Sequence, residues 1–218
     1  MILIAAGTPP PFVEDSGSMA LTPSTMLPLG TPLPQALLER ERNRGALEEV
    51  VGRLPAAAAA LAGRPVLVLF LSCHCPFVKH IEAEITRLQK DLGDRAVLLG
   101  IASNSLRTHP QDGPDGMAAQ AANSGWTFPY LLDRDQAVAR AFQAACTPDP
   151  FLFDRAHRLA YRGQLDPSRP GNDLPCDGRD LRAALAAVLA EQPVSEPQIA
   201  SIGCNIKWHP GAAPAWAR

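Results

Sequence analysis

Residues 66–93 run VLVLFLSCHCPFVKHIEAEITRLQKDLG, and this stretch decides the fold. It opens with six apolar residues, Val66 to Leu71, and a run that is apolar on both faces is typical of a strand buried on both sides of a sheet. Pro76 then suits the first position of a helix, and Gly93 ends that helix. The apolar residues between them recur at helical spacing; they are Phe77, Ile81, Ile85, Leu88 and Leu92.

A second apolar run, Ala96 to Ala102, follows the helix, so the sequence predicts a strand–helix–strand unit with a parallel pair. The remaining predicted helices lie at 114–124, 135–144 and 180–189, and the remaining short strands at 128–132, 151–154 and 159–163. The last two strands form a hairpin. We therefore predict an α/β domain in which a mixed central β-sheet carries helices on both faces.

The length of 218 residues suits one domain with short tails. Pro, Gly and Ser in residues 1–26 predict a flexible leader, within which Met19 offers a second start. The domain spans residues 27–192, and residues 193–218 form a Pro-rich tail without periodicity that can pack over it. Residues 35–62 have helical composition, although glycines and a proline interrupt it.

Composition excludes several classes of function. The net charge of −2 gives no field that attracts nucleic acid or an anionic membrane. The longest apolar stretch, residues 54–71, is cut by Pro, Gly and Arg, so no membrane span is predicted. Five cysteines without an export signal predict reduced thiols in a cytoplasm rather than a disulfide scaffold. No cofactor is predicted.

Cys75 lies where the buried strand gives way to the helix. The free amides and the positive end of the helix dipole stabilise a thiolate there, and a thiolate is the reacting form of cysteine. A protonated His74 would lower the pKa of this thiol further. The alternative is a buried, inert cysteine; two cysteines flanking a histidine at such a junction favour the reactive one.

The order of strand, cysteine-containing turn, helix and strand, followed by Thr147-Pro148 and a hairpin at Phe151, resembles the thioredoxin fold. More narrowly, the chain resembles peroxiredoxin-like members of that superfamily (alkyl hydroperoxide reductase and thiol-specific antioxidant-like proteins) from about Leu27 to Trp208. The strings that carry this resemblance are LGTPLP (29–34), CPFVKH (75–80), ACTPD (145–149), RGQLD (162–166) and SIGCNIKW (201–208).

The resemblance implies roles for particular residues. Thioredoxins carry Cys-x-x-Cys, whereas peroxiredoxins carry Thr/Ser-x-x-Cys, which matches Ser72 and Cys75 here. Cys75 is then the nucleophile, Ser72 its hydroxyl partner, and Pro148 a cis proline that shapes the substrate strand beside Thr147. The chain departs from peroxiredoxins by having Val68 and Pro148 where they place a proline and an arginine. Thiol–disulfide exchange is therefore the first expectation and peroxide reduction the second.

A second thiol must complete the cycle by resolving the mixed disulfide or the sulfenic acid. Cys146 and Cys204 rank equally, because one precedes Thr147-Pro148 and the other lies in a tail that can fold back. Cys73 comes next, since a Cys-x-Cys ring is small and strained, and Cys176 ranks last. Alternatively, each of these cysteines is a small apolar side chain that only packs in the core and takes no part in the reaction.

Two other classes of function remain open. Cys73, Cys75, His74 and His80 form a compact set of soft ligands for Cu(I) or Zn(II), although the spacing matches no standard zinc motif. Alternatively the domain is a redox-inactive interaction module, a hypothesis supported by Ser72 at the position of the usual first cysteine. For the oxidoreductase, the predicted partners are a thiol reductant and a disulfide-bearing protein or small molecule, or a peroxide.

The predicted catalytic set is thus Cys75, Ser72, Cys73 and Pro148, with His74 and Thr147 in support. The oligomeric state stays open.

Overall fold

The computed structural model describes residues 21–38, 47–54, 61 and 63–217. Six strands form its central sheet, in which three neighbouring strands are parallel and the others are antiparallel. The predicted mixed sheet is therefore confirmed. Across the sheet the order is β2 (Leu47–Val51), β5 (Tyr130–Asp133), β4 (Val97–Ala102), β3 (Val66–Phe70), β7 (Asp149–Phe153) and β8 (Leu159–Tyr161).

Helices cover both faces of this sheet, as predicted. Alternate residues of β3 pack into two separate hydrophobic cores: Leu67 and Leu69 lie in one, and Val68 and Phe70 lie in the other. The first core also takes residues of α2 (Pro76–Leu92), α3 (Pro114–Ser124) and α5 (Arg179–Leu189). The second takes residues of α1 (Gln35–Leu38) and α4 (Ala137–Phe142). Two short 3-10 turns lie at Pro110–Asp112 and Ala215–Ala217.

A second, three-stranded antiparallel sheet lies beside the first. Its order is β1 (Leu21–Pro23), β9 (Ile202–Asn205) and β6 (Cys146–Thr147). β1 falls in the segment that composition assigned to a flexible leader, and β9 in the tail without periodicity. Both strands are too short to show an alternating pattern, so only their pairing reveals them. The remainder of the leader, residues 1–20, lies outside the described residues.

The helical expectation for residues 35–62 is wrong over Leu47–Val51. These residues form an edge strand that pairs antiparallel with β5. Pairing with a neighbouring strand outweighs the helical preference of the glutamates in this segment, as tertiary context often does. Only α1 is helical among its described residues; residues 39–46, 55–60 and 62 lie outside the described ranges.

The predicted helices and strands of the domain otherwise match within a few residues. The helix expected at 135–144 is shorter, Ala137–Phe142, because the carboxylate of Asp133 accepts the amides of Val138 and Ala139 and fixes its start. Among the helices of the described ranges, none has the length and apolar character that crossing a membrane requires.

Candidate active site

Cys75 is the N-cap residue of α2, a helix of 17 residues with Pro76 at its first position. No side chain caps this end, so the amides of the first turn face the cysteine. The thiol is fully buried and donates a hydrogen bond to the carbonyl oxygen of Thr147 at 3.1 Å. The sequence thus correctly predicts that Cys75 lies at a strand-to-helix junction.

β9 brings Cys204 to this sulfur. The register of the second sheet sets Cys204 directly opposite Thr147, whose carbonyl holds Cys75. Hydrogen bonding of the Cys204 thiol towards the Cys75 thiolate is the largest influence on both pKa values. It lowers the pKa of Cys75 and raises that of Cys204, so the thiolate form belongs to Cys75.

Other groups also affect the pKa of Cys75. Burial opposes ionisation of Cys75, but the backbone amides of Val78 and Cys204 add to the lowering of its pKa. The Val78 amide belongs to the first turn of α2, so helix geometry contributes as the sequence predicted.

The remaining three cysteines all have raised pKa values. Burial and the charge of Asp112 raise the pKa of Cys73 to about 12, and its sulfur lies against the hydroxyl of Tyr130. Burial and then Asp149 raise the pKa of Cys146, whose thiol contacts the carbonyl of Pro148 at 3.6 Å. Burial also raises the pKa of Cys176. Cys73 is therefore expected to be protonated at neutral pH, and its catalytic role stays a prediction.

Asp112 organises the turn before Cys75. This buried carboxylate accepts the amide of Cys73 at 2.8 Å, the hydroxyl of Ser72 at 3.1 Å and the amide of Asn104 at 2.7 Å. It also pairs with Nδ1 of His74 at 2.8 Å. Burial alone would raise the pKa of Asp112, but the bonds from His74 and Asn104 outweigh it and lower the pKa.

This network corrects the expected role of Ser72. Its hydroxyl bonds to Asp112 and to His74 Nδ1, the latter at 3.2 Å, and not to the sulfur of Cys75. His74 likewise pairs with Asp112, and its ring stacks on His109 with centroids 5.0 Å apart. Both residues support the turn rather than the thiolate directly.

Pro148 follows Thr147 through a cis peptide bond, as the resemblance implied. Thr147 is buried, and its side-chain oxygen has no hydrogen-bond partner among the described residues. Asp149 comes next and is fully buried, which raises its pKa to about 7. The Thr147–Asp149 segment therefore lies against the two active-site sulfurs with little contact with solvent.

A family model described as the AhpC/TSA family matches residues 52–162, half of the chain. The chain belongs to the AhpC/TSA family. This confirms the predicted resemblance to thioredoxin-fold, peroxiredoxin-like proteins.

Two solved structures are similar to this AhpC/TSA protein over almost their whole length. An uncharacterized conserved protein from Geobacillus kaustophilus is 41% identical with a TM-score of 0.79; the match covers 89% of this chain and 100% of that one. A hypothetical protein from Sinorhizobium meliloti 1021 is 38% identical with a TM-score of 0.76, covering 87% and 100%. No curated protein gives a significant match.

A more distant match supports the fold alone. The solution structure of a thioredoxin-like protein in the oxidized form is 21% identical with a TM-score of 0.58, and the match covers 76% of this chain and 99% of that one.

The metal ligands expected for the alternative function are not brought together in this AhpC/TSA protein. Within the described ranges, no group of three or more His, Cys, Asp or Glu side chains can hold a metal ion. Cys73 faces Tyr130 while Cys75 faces Thr147, and His80 bonds to the hydroxyl of Ser168 at 3.0 Å. The four candidate ligands thus point in different directions.

Three residues of the site were missed by sequence reasoning: Asp112, Asn104 and Lys207. Asn104 bonds to Asp112 and accepts the backbone amide of Lys207 at 2.8 Å, so it ties the turn before Cys75 to the segment that follows β9. The only sequence signal for Asp112 is its place in the polar linker just before α3, which is too weak to predict its four partners.

The pKa values predict a simple titration. Since only Cys75 has a lowered pKa and the other four cysteines have raised ones, we expect one thiolate at neutral pH. Far-ultraviolet thiolate absorbance should fall as pH drops through the pKa of Cys75, below the range of an ordinary thiol.

Replacing Cys204 by alanine removes the largest cause of this lowering, so the midpoint should move to higher pH. Replacing Cys176 by serine is the control and should leave the curve in place. A titration unchanged in Cys204→Ala would show that Cys204 does not stabilise the thiolate.

Proposed function

We propose that this protein is a thiol–disulfide oxidoreductase in which Cys75 attacks the substrate disulfide and Cys204 resolves the mixed disulfide. The observation that carries the proposal is the pairing of β9 with β6, which places Cys204 opposite Thr147, the residue whose carbonyl accepts the thiol of Cys75. Cys204 also lowers the pKa of Cys75, while its own pKa is raised. Cys146, ranked equally with Cys204 from the sequence, instead has its thiol against the carbonyl of Pro148 at 3.6 Å.

The cycle balances with the two cysteines alone. The Cys75 thiolate attacks one sulfur of a substrate disulfide, forming a mixed disulfide and releasing the other sulfur as a thiolate. The Cys204 thiol loses its proton and attacks the sulfur of Cys75, which releases the second substrate thiolate. The protein ends with a Cys75–Cys204 disulfide and the substrate is reduced by two electrons; the proton of Cys204 ends on one of the two released sulfurs, and the other leaves as a thiolate. A thiol reductant then restores both thiols.

Other parts of the site support these steps. The amide of Val78 stabilises the Cys75 thiolate that makes the first attack on the substrate disulfide. Asp112 fixes the turn that carries Cys75, and Asn104 connects that turn to the chain beyond β9. The cis Pro148 segment supplies the carbonyl that orients the thiol.

Release of thiols from a small disulfide tests the proposal. When the reduced protein is mixed with bis(hydroxyethyl) disulfide, we expect both mercaptoethanol halves to be released, because the second cysteine completes the exchange. In Cys204→Ser we expect release of one half only, with the other retained on Cys75. Equal release by this variant and the wild type would contradict the role of Cys204.

Peroxide is a second candidate substrate, favoured by the AhpC/TSA match. The Cys75 thiolate would attack the peroxide oxygen, forming a sulfenic acid and an alcohol or water, and Cys204 would condense with it to release water. However, Pro148 stands where peroxiredoxins place an arginine, so no guanidinium polarises the peroxide at that position. We therefore rank disulfide exchange first.

The cellular compartment that we propose follows from the need for reduced thiols. Five free cysteines suit a reducing compartment, which we propose is the cytoplasm, where a thiol reductant is at hand.

A further inference from the structure

β9 occupies the sheet edge next to the reacting sulfur. The carbonyl oxygen of Thr147 accepts a hydrogen bond from the thiol of Cys75. In the pairing of β6 with β9, Thr147 lies opposite Cys204 and Cys146 lies opposite Asn205. The residue immediately before β9 adds to this contact, because the hydroxyl of Ser201 donates a hydrogen bond to the carbonyl oxygen of Pro148 at 2.7 Å. The backbone beside Cys75 is thus already paired with a strand of its own chain.

A polypeptide substrate would need that same edge. An extended peptide binds a sheet by adding a strand to a free edge, where backbone hydrogen bonds supply most of the affinity. Cys75 is 0% exposed, Thr147 2% and Cys204 8%, so a second strand has no room beside the sulfur. A peptide could pair there only if β9 left, whereas a small disulfide needs only a local opening of side chains.

We infer that β9 occupies the edge of β6 at which a peptide substrate would pair, so that the substrates are small molecules with disulfides rather than disulfides within polypeptides. This inference rests on the proposed function of Cys75. It also gives β9 two tasks, since the strand that delivers Cys204 is the one that closes the edge.

Gly203 makes the close approach of β9 feasible. A Cβ atom at this position would lie 2.6 Å from the carbonyl carbon of Thr147 and 3.1 Å from the nitrogen of Pro148, and closer still to the Thr147 oxygen. These are backbone atoms and cannot turn aside as a flexible side chain can. Gly203→Ala should therefore displace β9 from β6.

The test uses Cys204→Ser as the background, so that any adduct on Cys75 is retained and the resolving step plays no part. Two probes carry the same thionitrobenzoate leaving group: one joined to mercaptoethanol, the other to an unstructured peptide with a single cysteine. Attack by Cys75 forms the mixed disulfide and releases the coloured thionitrobenzoate thiolate. Rates are normalised to those of each probe with dithiothreitol, and mass spectrometry locates the adduct.

In Cys204→Ser alone we expect the peptide probe to react at least about tenfold more slowly than the small probe. Adding Gly203→Ala should raise the ratio of the peptide rate to the small-probe rate about tenfold, because only the peptide needs the edge. Any change in the Cys75 thiolate that follows from loss of the Cys204 amide affects both probes alike and cancels in this ratio. Gly211→Ala is the control for backbone strain in the same C-terminal segment: its positive φ of 75° strains an alanine, but its Cβ would meet nothing within 4 Å, so it should change neither rate.

Ser201→Ala provides a milder variant should Gly203→Ala fail to fold. It removes one hydrogen bond to Pro148 and should raise the peptide rate about threefold. A peptide probe that reacts as fast as the small probe before β9 is disturbed would overturn the inference while leaving the proposed function intact. Failure of both probes to modify Cys75 would instead contradict the proposed function.

Discussion

Replacing Cys75 by serine should reduce thiol release from bis(hydroxyethyl) disulfide by about a thousandfold or more, since the hydroxyl is a far weaker nucleophile than a thiolate. The other four cysteines cannot substitute for it, because their pKa values are raised and they remain protonated at neutral pH. The measurement is the initial rate with reduced protein at neutral pH.

Cys176→Ser is the control for this experiment. Cys176 lies half-buried in the loop before α5 and should be replaceable with less than about a twofold change in rate. Circular dichroism of Cys75→Ser should match the wild type, because serine is close to cysteine in size. If Cys75→Ser keeps most of the activity, the nucleophile is another residue.

The second large effect is expected at Asp112. Replacing it by alanine leaves the Cys73 amide, the Asn104 amide, the Ser72 hydroxyl and the His74 ring without their shared acceptor. Loss of one partner from such a buried, charged network lowers the free energy of unfolding by about 3 kcal/mol or more. The thiol-release rate should fall as well, because the turn that carries Cys75 loses its anchor.

Chemical denaturation of Asp112→Ala beside Asp115→Ala measures this effect. Asp115 is exposed in the first turn of α3, where it interacts with the helix dipole only, so its loss should cost less than about 1 kcal/mol. Equal stability of the two variants would mean that the Asp112 network does not hold the turn.

The parts of the fold that the sequence predicts well are those with strong periodicity. β3, α2 and β4 carry long apolar patterns, and Gly93 marks the helix end with a positive φ of 50°. The interpretation of Leu47–Val51 as helical fails because an edge strand is defined by its neighbour β5 rather than by its own residues.

The candidate site shows the same limit. The position of Cys75 follows from a local pattern, namely a buried strand, a proline and an amphipathic helix. The choice between Cys146 and Cys204 depends instead on β9 pairing with β6 across about 60 residues of chain, for which the sequence holds no periodic signal. Asp112 is missed for the same reason, since three of its four partners come from the turn before α2 and not from its own linker.

Peptide mapping of the oxidised protein tests the central assignment most directly. The reduced protein is treated with a stoichiometric small disulfide, the remaining free thiols are alkylated, and the digest is analysed by mass spectrometry without reduction. Our account predicts a cross-link between the Cys75 and Cys204 peptides, with Cys73, Cys146 and Cys176 alkylated. A cross-link from Cys75 to Cys146 or Cys73, or alkylation of all five cysteines, would contradict it.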